Sequence, residues 1–388
     1  MREKKMRAKL EDFLQEVCEK TITNNQYPVL TSSKSGLFLQ SDYFNKQVAS
    51  KDNTGYKIIR RGQFTYRAMS DTGEFFPNML ECADVGIVSP AYPVFEIIKQ
   101  DQIVPEYLKY YFKSNRFQNS ISTFAQGSTR TSVKFGKLKK VSIELPEIKK
   151  QYQIIQTLDL LRTIINNRKK EVLELDELIR ARFVEMFGNP ATPGDKFKTC
   201  KLGEVADVKS SHRVFTTEFV DEGVPFYRGT EIGVLASGQR PEDPYRISME
   251  HYLKIASDDS KPIRGDLLLP SICNKGQVWM VDTDEPFYYK DGRVLCISPN
   301  RSVFDPRYLQ LYMKMRTEAE YPKLGSGSTF AEFKIFQLKK LEIDIPPMDL
   351  QNQFADFVAQ IDKSKATVQK ALDETQLLFD SLMQKYFG

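Results

Sequence analysis

The chain says nearly the same thing twice, at a fixed interval. Residues 127–146 read GSTRTSVKFGKLKKVSIELP, and residues 327–346 read GSTFAEFKIFQLKKLEIDIP. A shift of 200 positions aligns 127–188 with 327–388 without a gap. Identical pairs run from Gly127/Gly327 through Lys134/Lys334, Leu138/Leu338, Ile143/Ile343, Pro146/Pro346, Gln151/Gln351 and Lys170/Lys370 to Phe187-Gly188 against Phe387-Gly388. An ungapped repeat of this length means two copies of one structural unit, each ending in the same segment. At 388 residues the chain has room for two domains plus connectors.

The periodicity of the repeated segment shows what it is. In the first copy Ile154, Leu158, Leu161, Ile165, Val172, Leu175, Ile179 and Met186 follow steps of three and four, once Arg168 and Arg182 are counted in the frame. In the second, Phe354, Val358, Ile361, Val368, Leu372, Phe379, Leu382 and Tyr386 do the same, with Lys365 and Thr375 as polar interruptions. Such spacing over five turns or more predicts a long amphipathic helix with a coiled-coil-like seam. Pro146 and Pro346–Pro347 stop the preceding strand where a helix can begin, while Gly188 and Asn189-Pro190 end the first helix. Each helix of ~37 residues is ~55 Å long. A helix this long overhangs a domain of ordinary size, so packing only on its own half is the weaker alternative. The expectation is that the two stripes bury each other.

Ahead of each helix lies a segment that begins and ends alike in both copies but diverges between. Lys9-Leu10-Glu11 resembles Lys201-Leu202-Gly203-Glu204 at the start. Short β-type runs fill the middles: KIIRRGQFTYRAM and GIVSPAYPVFEII in the first, GDLLLPSICN, GQVWMVD and RVLCISP in the second. Helical stretches follow at 104–114 and 306–316. The expected fold class is α+β with an internal pseudo-twofold repeat. Its parts are a domain at 1–146, a helix at 147–190, a second domain at 191–346 and a second helix at 347–388.

Composition removes several function classes. The opening MREKKMRAKLEDFLQEVCEK is charged throughout, unlike a signal peptide. No apolar run approaches the ~20 residues of a membrane span, so the cytoplasm is the expected compartment. The five cysteines, Cys18, Cys82, Cys200, Cys273 and Cys296, include no Cys-x-x-Cys pair and read as free thiols. His212 and His251 are the only histidines, which leaves little for imidazole-based metal binding. Net charge is +5, compatible with nucleic acid but too low for binding by electrostatics alone.

The divergent middles carry the candidate contacts. In the first domain Lys57, Arg60, Arg61 and Arg67 are interleaved with Tyr56, Phe64 and Tyr66, and the loop at 126–131 offers Gln126, Ser128, Thr129, Arg130 and Thr131. In the second, Tyr227, Arg228 and Thr230 flank a glycine, and Ser271, Asn274 and Lys275 sit at a turn. Ser328 and Thr329 repeat the first loop. Arginine and lysine pair with guanine edges and phosphates, asparagine and glutamine with adenine, and short hydroxyls fit against phosphates. Any one surface arginine more often just solvates; the set, spread over two domains, points to DNA.

At this point the chain resembles a known family. A glycine-serine loop, Leu-Lys-x-x-x-Ile-x-x-Pro, a glutamine five residues on and a long helix closing on Phe-Gly resemble the specificity subunit of type I restriction–modification enzymes. With FGNPATPGDKFKTCKLGEV joining the halves, the resemblance covers essentially the whole chain. It implies two target recognition domains, each reading half of a bipartite DNA site, and two helices paired antiparallel that space them and dock two methyltransferase subunits. Restriction subunits are a further partner the resemblance allows. S-adenosylmethionine is then expected on the methyltransferase and no cofactor on this chain. The helix seam to be buried is Leu158, Leu161, Ile165, Val172, Leu175 and Ile179 against Val358, Ile361, Val368, Leu372, Phe379 and Leu382. Two departures stand out: Glu147 replaces the second proline present at Pro347, and the first domain starts almost at Met1, without the leader seen at 189–200.

Rival readings place the chemistry in this chain itself. Adenine methylation needs an acidic or asparagine residue directly before Pro-Pro and an aromatic after it. Asp344-Ile345-Pro346-Pro347-Met348 fails at both ends, and no glycine-rich nucleotide turn follows a strand. A metal nuclease needs clustered carboxylates with a lysine; Asp282, Asp284, Glu285 and Lys290 come nearest and read as a polar turn. No catalytic or metal-binding residue is therefore expected. The alternatives are a DNA reader of a methyltransferase-only system, a nuclease or methyltransferase with an unrecognised site, and a coiled-coil scaffold that binds proteins alone.

Overall fold

The computed structural model describes residues 6–43, 52–126, 130–258, 260–324 and 331–388. The chain divides into two compact units: residues 1–169 with 370–388, and residues 170–369. The first long helix spans Ile148–Phe187 and the second Met348–Phe387, 40 residues each. Each unit therefore contains one domain, the beginning of the helix that follows it, and the end of the other long helix.

Within unit 1, Met6–Lys9 pairs antiparallel with Ser142–Leu145, which brings the domain's start against its end. In unit 2, Thr199–Lys201 pairs with Glu342–Asp344 in the same way. The like beginnings and like endings of the sequence are thus partners in a two-stranded sheet, and everything between is an insert. Each insert contains a four-stranded antiparallel sheet of the same order. In unit 1 it runs Leu14–Val17, Val94–Ile97, Phe64–Thr65, Asn78–Met79. In unit 2 it runs Ala206–Lys209, Val294–Pro299, Leu267–Pro270, Trp279–Met280. The inserts differ beyond this sheet. Unit 1 adds two-stranded pieces, Leu30–Ser32 with Leu37–Leu39 and Lys57–Arg60 with Val85–Val88. Unit 2 adds a second four-stranded sheet in which Val224–Tyr227 pairs in parallel with Tyr288–Tyr289.

The identical glutamines anchor the helix starts. Gln151 is fully buried; its Oε1 accepts from Val104 N (2.9 Å) and its Nε2 donates to Gln102 O and Pro146 O (both 2.9 Å). Gln351 repeats the pattern with Asp305 N, Val303 O and Pro346 O, all at 2.9 Å. Glu147 does in unit 1 what Pro347 does in unit 2: each carbonyl accepts the first amides of its helix.

The identical Phe-Gly pairs anchor the helix ends. Phe187 packs on Tyr308 (centroids 4.8 Å apart) in unit 2, and Phe387 on Tyr107 (5.0 Å) in unit 1. Gly188 and Gly388 adopt positive φ, 89° and 83°, the left-handed backbone that ends a helix with little strain only at glycine. In unit 2, Phe187 and Phe183 lie against Phe354, Arg182 lies over Phe357, and Asp176 pairs with Lys365. Numbers fall along one helix as they rise along the other, so the pairing is antiparallel.

Every expected seam position is turned inward. Leu158, Leu161, Ile165, Ile179 and Leu372 are buried, and Val172, Leu175, Val358, Ile361, Val368, Phe379 and Leu382 are half-buried. One stretch departs from the expected frame. Near the end of the first helix the fully covered side chains are Phe183 and Phe187, rather than Arg182 and Met186. The reason is a third element: the helix Pro306–Glu320 presents Tyr308 and Tyr312 there, and Phe183 stacks on Tyr308 at 5.5 Å.

Candidate nucleic-acid interface

In unit 2 the strand Val224–Tyr227 ends by delivering Arg228, and the helix Gly229–Ala236 starts immediately after it. Glycine fits the close approach here: a Cβ at position 229 would stand 3.1 Å from that of Pro270, so the neighbour would have to shift slightly. Arg228 is fixed from two sides. Its Nε and Nη2 donate to the Glu231 carboxylate (3.1 and 2.7 Å), and its guanidinium lies over the Tyr245 ring at 4.5 Å. Tyr245 in turn stacks on Phe219 at 4.6 Å and 3°. Burial works against the Glu231 carboxylate, but the Arg228 hydrogen bonds outweigh it and hold the group below the usual carboxylate range. The result is a preorganised, part-exposed guanidinium.

Arg228 and Thr230 share a cleft with Ser271, Gln277, Lys290 and Arg293. Arg293 pairs with Glu332, whereas Lys290 makes no ion pair among the described residues. Ser271 is buried and contributes backbone: its N–H donates to Arg293 O and its carbonyl accepts from Phe333 N, both at 2.8 Å. Tyr227 packs between Trp279 and Phe287 as a core ring. Asn274 and Lys275 are exposed beside the cleft, on a turn held by Gln277, whose Oε1 accepts from Lys275 N at 3.0 Å. Arginine, lysine and hydroxyl groups converging on one concavity suit phosphate and base edges.

Unit 1 disperses its cations instead. Lys57 pairs with Glu16 (3.6 Å), Arg60 with Glu19 (2.7 Å) and Arg61 with Asp84 (2.8 Å). The cleft that Arg61 borders also holds Glu81, Glu96 and Glu106, which repel phosphate. Tyr66, a surface candidate by its sequence, is fully buried, its hydroxyl donating to Val133 O at 2.9 Å. Phe64, Thr65 and Tyr66 are all buried, so the strand Phe64–Thr65 and the residue after it run through the core with no outward face. Arg67 is exposed and borders a different cleft with Thr31, Ser33, Lys34, Ser70 and Thr72, which also holds Asp71 and Glu74, the latter paired with Lys34 at 3.2 Å. Arg130 reaches its edge by pairing with Asp71 at 2.8 Å, while Gln126 and Thr131 brace the adjoining backbone. Ser128, Thr129, Ser328 and Thr329 lie outside the described residues.

Lys34, Lys290 and Arg293 do not stand out as binding residues in the sequence. The run TSSKSG, rich in hydroxyls around a lysine, is a usable signal for Lys34. Lys290 reads as part of a carboxylate-rich turn, yet its backbone N–H donates to Tyr227 O (2.9 Å), which brings it beside Arg228. No group of three or more metal-ligating side chains occurs among the described residues. No helix of the described residues is long and apolar enough to cross a membrane.

The family model for the type I restriction modification DNA specificity domain matches the chain twice, over residues 10–175 and 194–375. A putative type I restriction enzyme specificity subunit of Haemophilus influenzae is 24% identical over 268 residues, 68% of this chain and 66% of that protein. The MjaIX specificity subunit of Methanocaldococcus jannaschii is 22% identical over 314 residues, 74% of this chain and 69% of its own length. The chain thus spans about two thirds of the length of these relatives. Among solved structures, the S subunit from M. genitalium superposes with a TM-score of 0.54 at 13% identity, over 100% of this chain and 97% of that one. A chain from a structure describing assembly of a type I R-M system gives 0.58 at 17% identity, over 99% and 97%. At these identities the superpositions speak for the fold.

Proposed function

Because this chain belongs to the type I restriction–modification DNA specificity family, we propose that it reads a bipartite DNA site, one half with each unit. The observation that carries this reading is the duplication: one sheet order and one pair of helix anchors bear two different exposed clefts. In unit 2 the reading surface centres on Arg228, Thr230, Lys290 and Arg293; in unit 1 on Lys34, Arg67 and Arg130. The chain supplies recognition and no chemistry. A methyltransferase partner, holding S-adenosylmethionine, transfers the methyl group to adenine, and two copies fit a scaffold with two like halves. The long helices offer docking surface, since Leu160, Leu173, Leu178, Leu377 and Leu378 are exposed on them at 62%, 66%, 45%, 72% and 49%.

The test is the methylome of cells that co-express this chain with its cognate methyltransferase. The expected motif has two specific parts separated by a fixed unread gap. Methylation of a continuous site, or turnover by the purified chain without a partner, would overturn the reading.

A further inference from the structure

The cleft of unit 2 holds two arginines that are gripped in different ways. Arg293 meets Glu332 through Nη1 alone, and Glu332 is shared with Lys334 at 3.0 Å. Arg228 meets Glu231 side-on: Nε and Nη2 donate to its two carboxylate oxygens at 3.1 and 2.7 Å, and the Arg228 backbone N–H donates to the same group at 2.8 Å. Glu231 is buried, and Tyr245, itself stacked on Phe219, covers one face of the guanidinium. The carboxylate thus fixes how the guanidinium is turned in its plane, and the ring fixes its tilt. The edge made by Nη1 and the second Nη2 proton is turned away from Glu231. In unit 1, Arg60 and Arg61 also pair with acids, Glu19 and Asp84, but those carboxylates are exposed.

The grip decides what each arginine suits. Attraction to phosphate depends on net charge, and a carboxylate in direct contact cancels most of it. A base edge is a set of neutral dipoles, for which orientation counts more than charge. A side chain already held in one rotamer also loses little freedom on contact. The outer edge of Arg228 is a pair of parallel donors. Guanine presents two neighbouring acceptors in the major groove, O6 and N7, whereas adenine sets a donating amino group beside its N7.

On the reading of unit 2 as a DNA reader, we propose that Arg228 donates its outer edge to O6 and N7 of a guanine. Glu231 and Tyr245 are the positioning residues that hold it for that contact, while Arg293 and Lys290 grip phosphates. The full-length chain is assembled with its cognate methyltransferase and titrated with the site duplex and with duplexes in which each read base pair is exchanged in turn. Arg228→Ala should lose discrimination at one G·C pair, by about 5- to 150-fold, and keep it at the others. Placing 7-deazaguanine there, which lacks the N7 acceptor, should weaken wild-type binding about fivefold or more and leave Arg228→Ala indifferent. Tyr245→Leu and Glu231→Gln should relax the same pair, and Tyr245→Phe, which keeps the ring, should restore most of the discrimination. Glu231→Gln also removes the neutralising charge, so it should bind every duplex more tightly while discriminating less. A merely structural role for Glu231 does not produce that split. Arg293→Ala should instead weaken all duplexes alike and lower the salt dependence by about one charge. Uniform weakening in Arg228→Ala, relaxation at an A·T pair, or full discrimination in Tyr245→Leu and Glu231→Gln overturns the assignment. Circular dichroism of each variant separates impaired reading from impaired folding. The wild-type methylation motif is a separate measurement: if it is bipartite, failure here leaves the recognition reading standing.

Discussion

The two units share their frame and differ in what they present. Both use the same sheet order, the same closing strand pair, a buried glutamine under the helix start and a tyrosine–phenylalanine contact at the helix end. Unit 2 then builds a second four-stranded sheet and clamps Arg228 between Glu231 and Tyr245, whereas unit 1 ties Lys57, Arg60 and Arg61 to acids and leaves Arg67 on a cleft rim. The shared parts hold helices; the unlike parts meet the outside. Duplication thus separates two tasks that a single domain would have to combine.

The largest expected effect bears on the shared frame. Phe183 is fully buried among Tyr308, Tyr312, Phe187 and Phe354. Phe183→Ala should destabilise unit 2 by ~3–5 kcal/mol. Its counterpart under the repeat is the half-buried Met383, whose replacement by alanine should cost less. Differential scanning calorimetry ranks the two; a smaller effect in Phe183→Ala would mean that the second aromatic cluster is not the stronger joint.

Next comes the glutamine pair. Gln151→Leu and Gln351→Leu each strand one buried N–H and two carbonyls, at ~1–3 kcal/mol per unsatisfied group before relaxation. Each should lower the stability of its own unit, as read by hydrogen exchange resolved along the sequence. If both variants loosened the same unit, the repeated anchor would not be a repeated function.

These joints also show what is legible in the sequence. Gln151/Gln351 and Phe187/Phe387 stand out as identical pairs because each meets the same partners in both copies, so the repeat points directly at them. The seam is readable for the same reason, since steps of three and four report a buried stripe, until Tyr308 and Tyr312 move it onto Phe183. The common four-stranded sheet is not readable, because Leu14–Val17 and Ala206–Lys209 share geometry without sharing residues. The candidate binding residues are least legible of all. Tyr66 and Arg67 are adjacent in sequence, yet one fills the core and the other borders a cleft. Pairing with Glu19 and Asp84 depends on partners 41 and 23 residues away, which local composition does not reveal.

A smaller effect concerns Lys113, in the turn after the helix Pro105–Tyr111 of unit 1. Lys113 is held down to about 8, so below that pH its buried charge opposes folding of unit 1. The unfolded chain keeps its lysine protonated to ~10.4. Between these values the unfolded state binds the extra proton, so this group's contribution makes unit 1 more stable as pH rises. Lys113→Met should therefore stabilise the chain at pH 7 and lose that advantage near pH 10. An advantage independent of pH would point to packing rather than charge.

The central claim, two readers on one frame, is tested most directly by the methylation motif of single-residue variants. Arg228→Ala and Arg67→Ala are each co-expressed with the cognate methyltransferase, and the methylated sites are sequenced. Removing a base-reading side chain costs ~1–3 kcal/mol of discrimination, enough to make one position degenerate. Arg228→Ala should relax one half of the motif and Arg67→Ala the other, with the gap between them unchanged. If both variants relaxed the same half, or either relaxed both, the two units would not be independent readers.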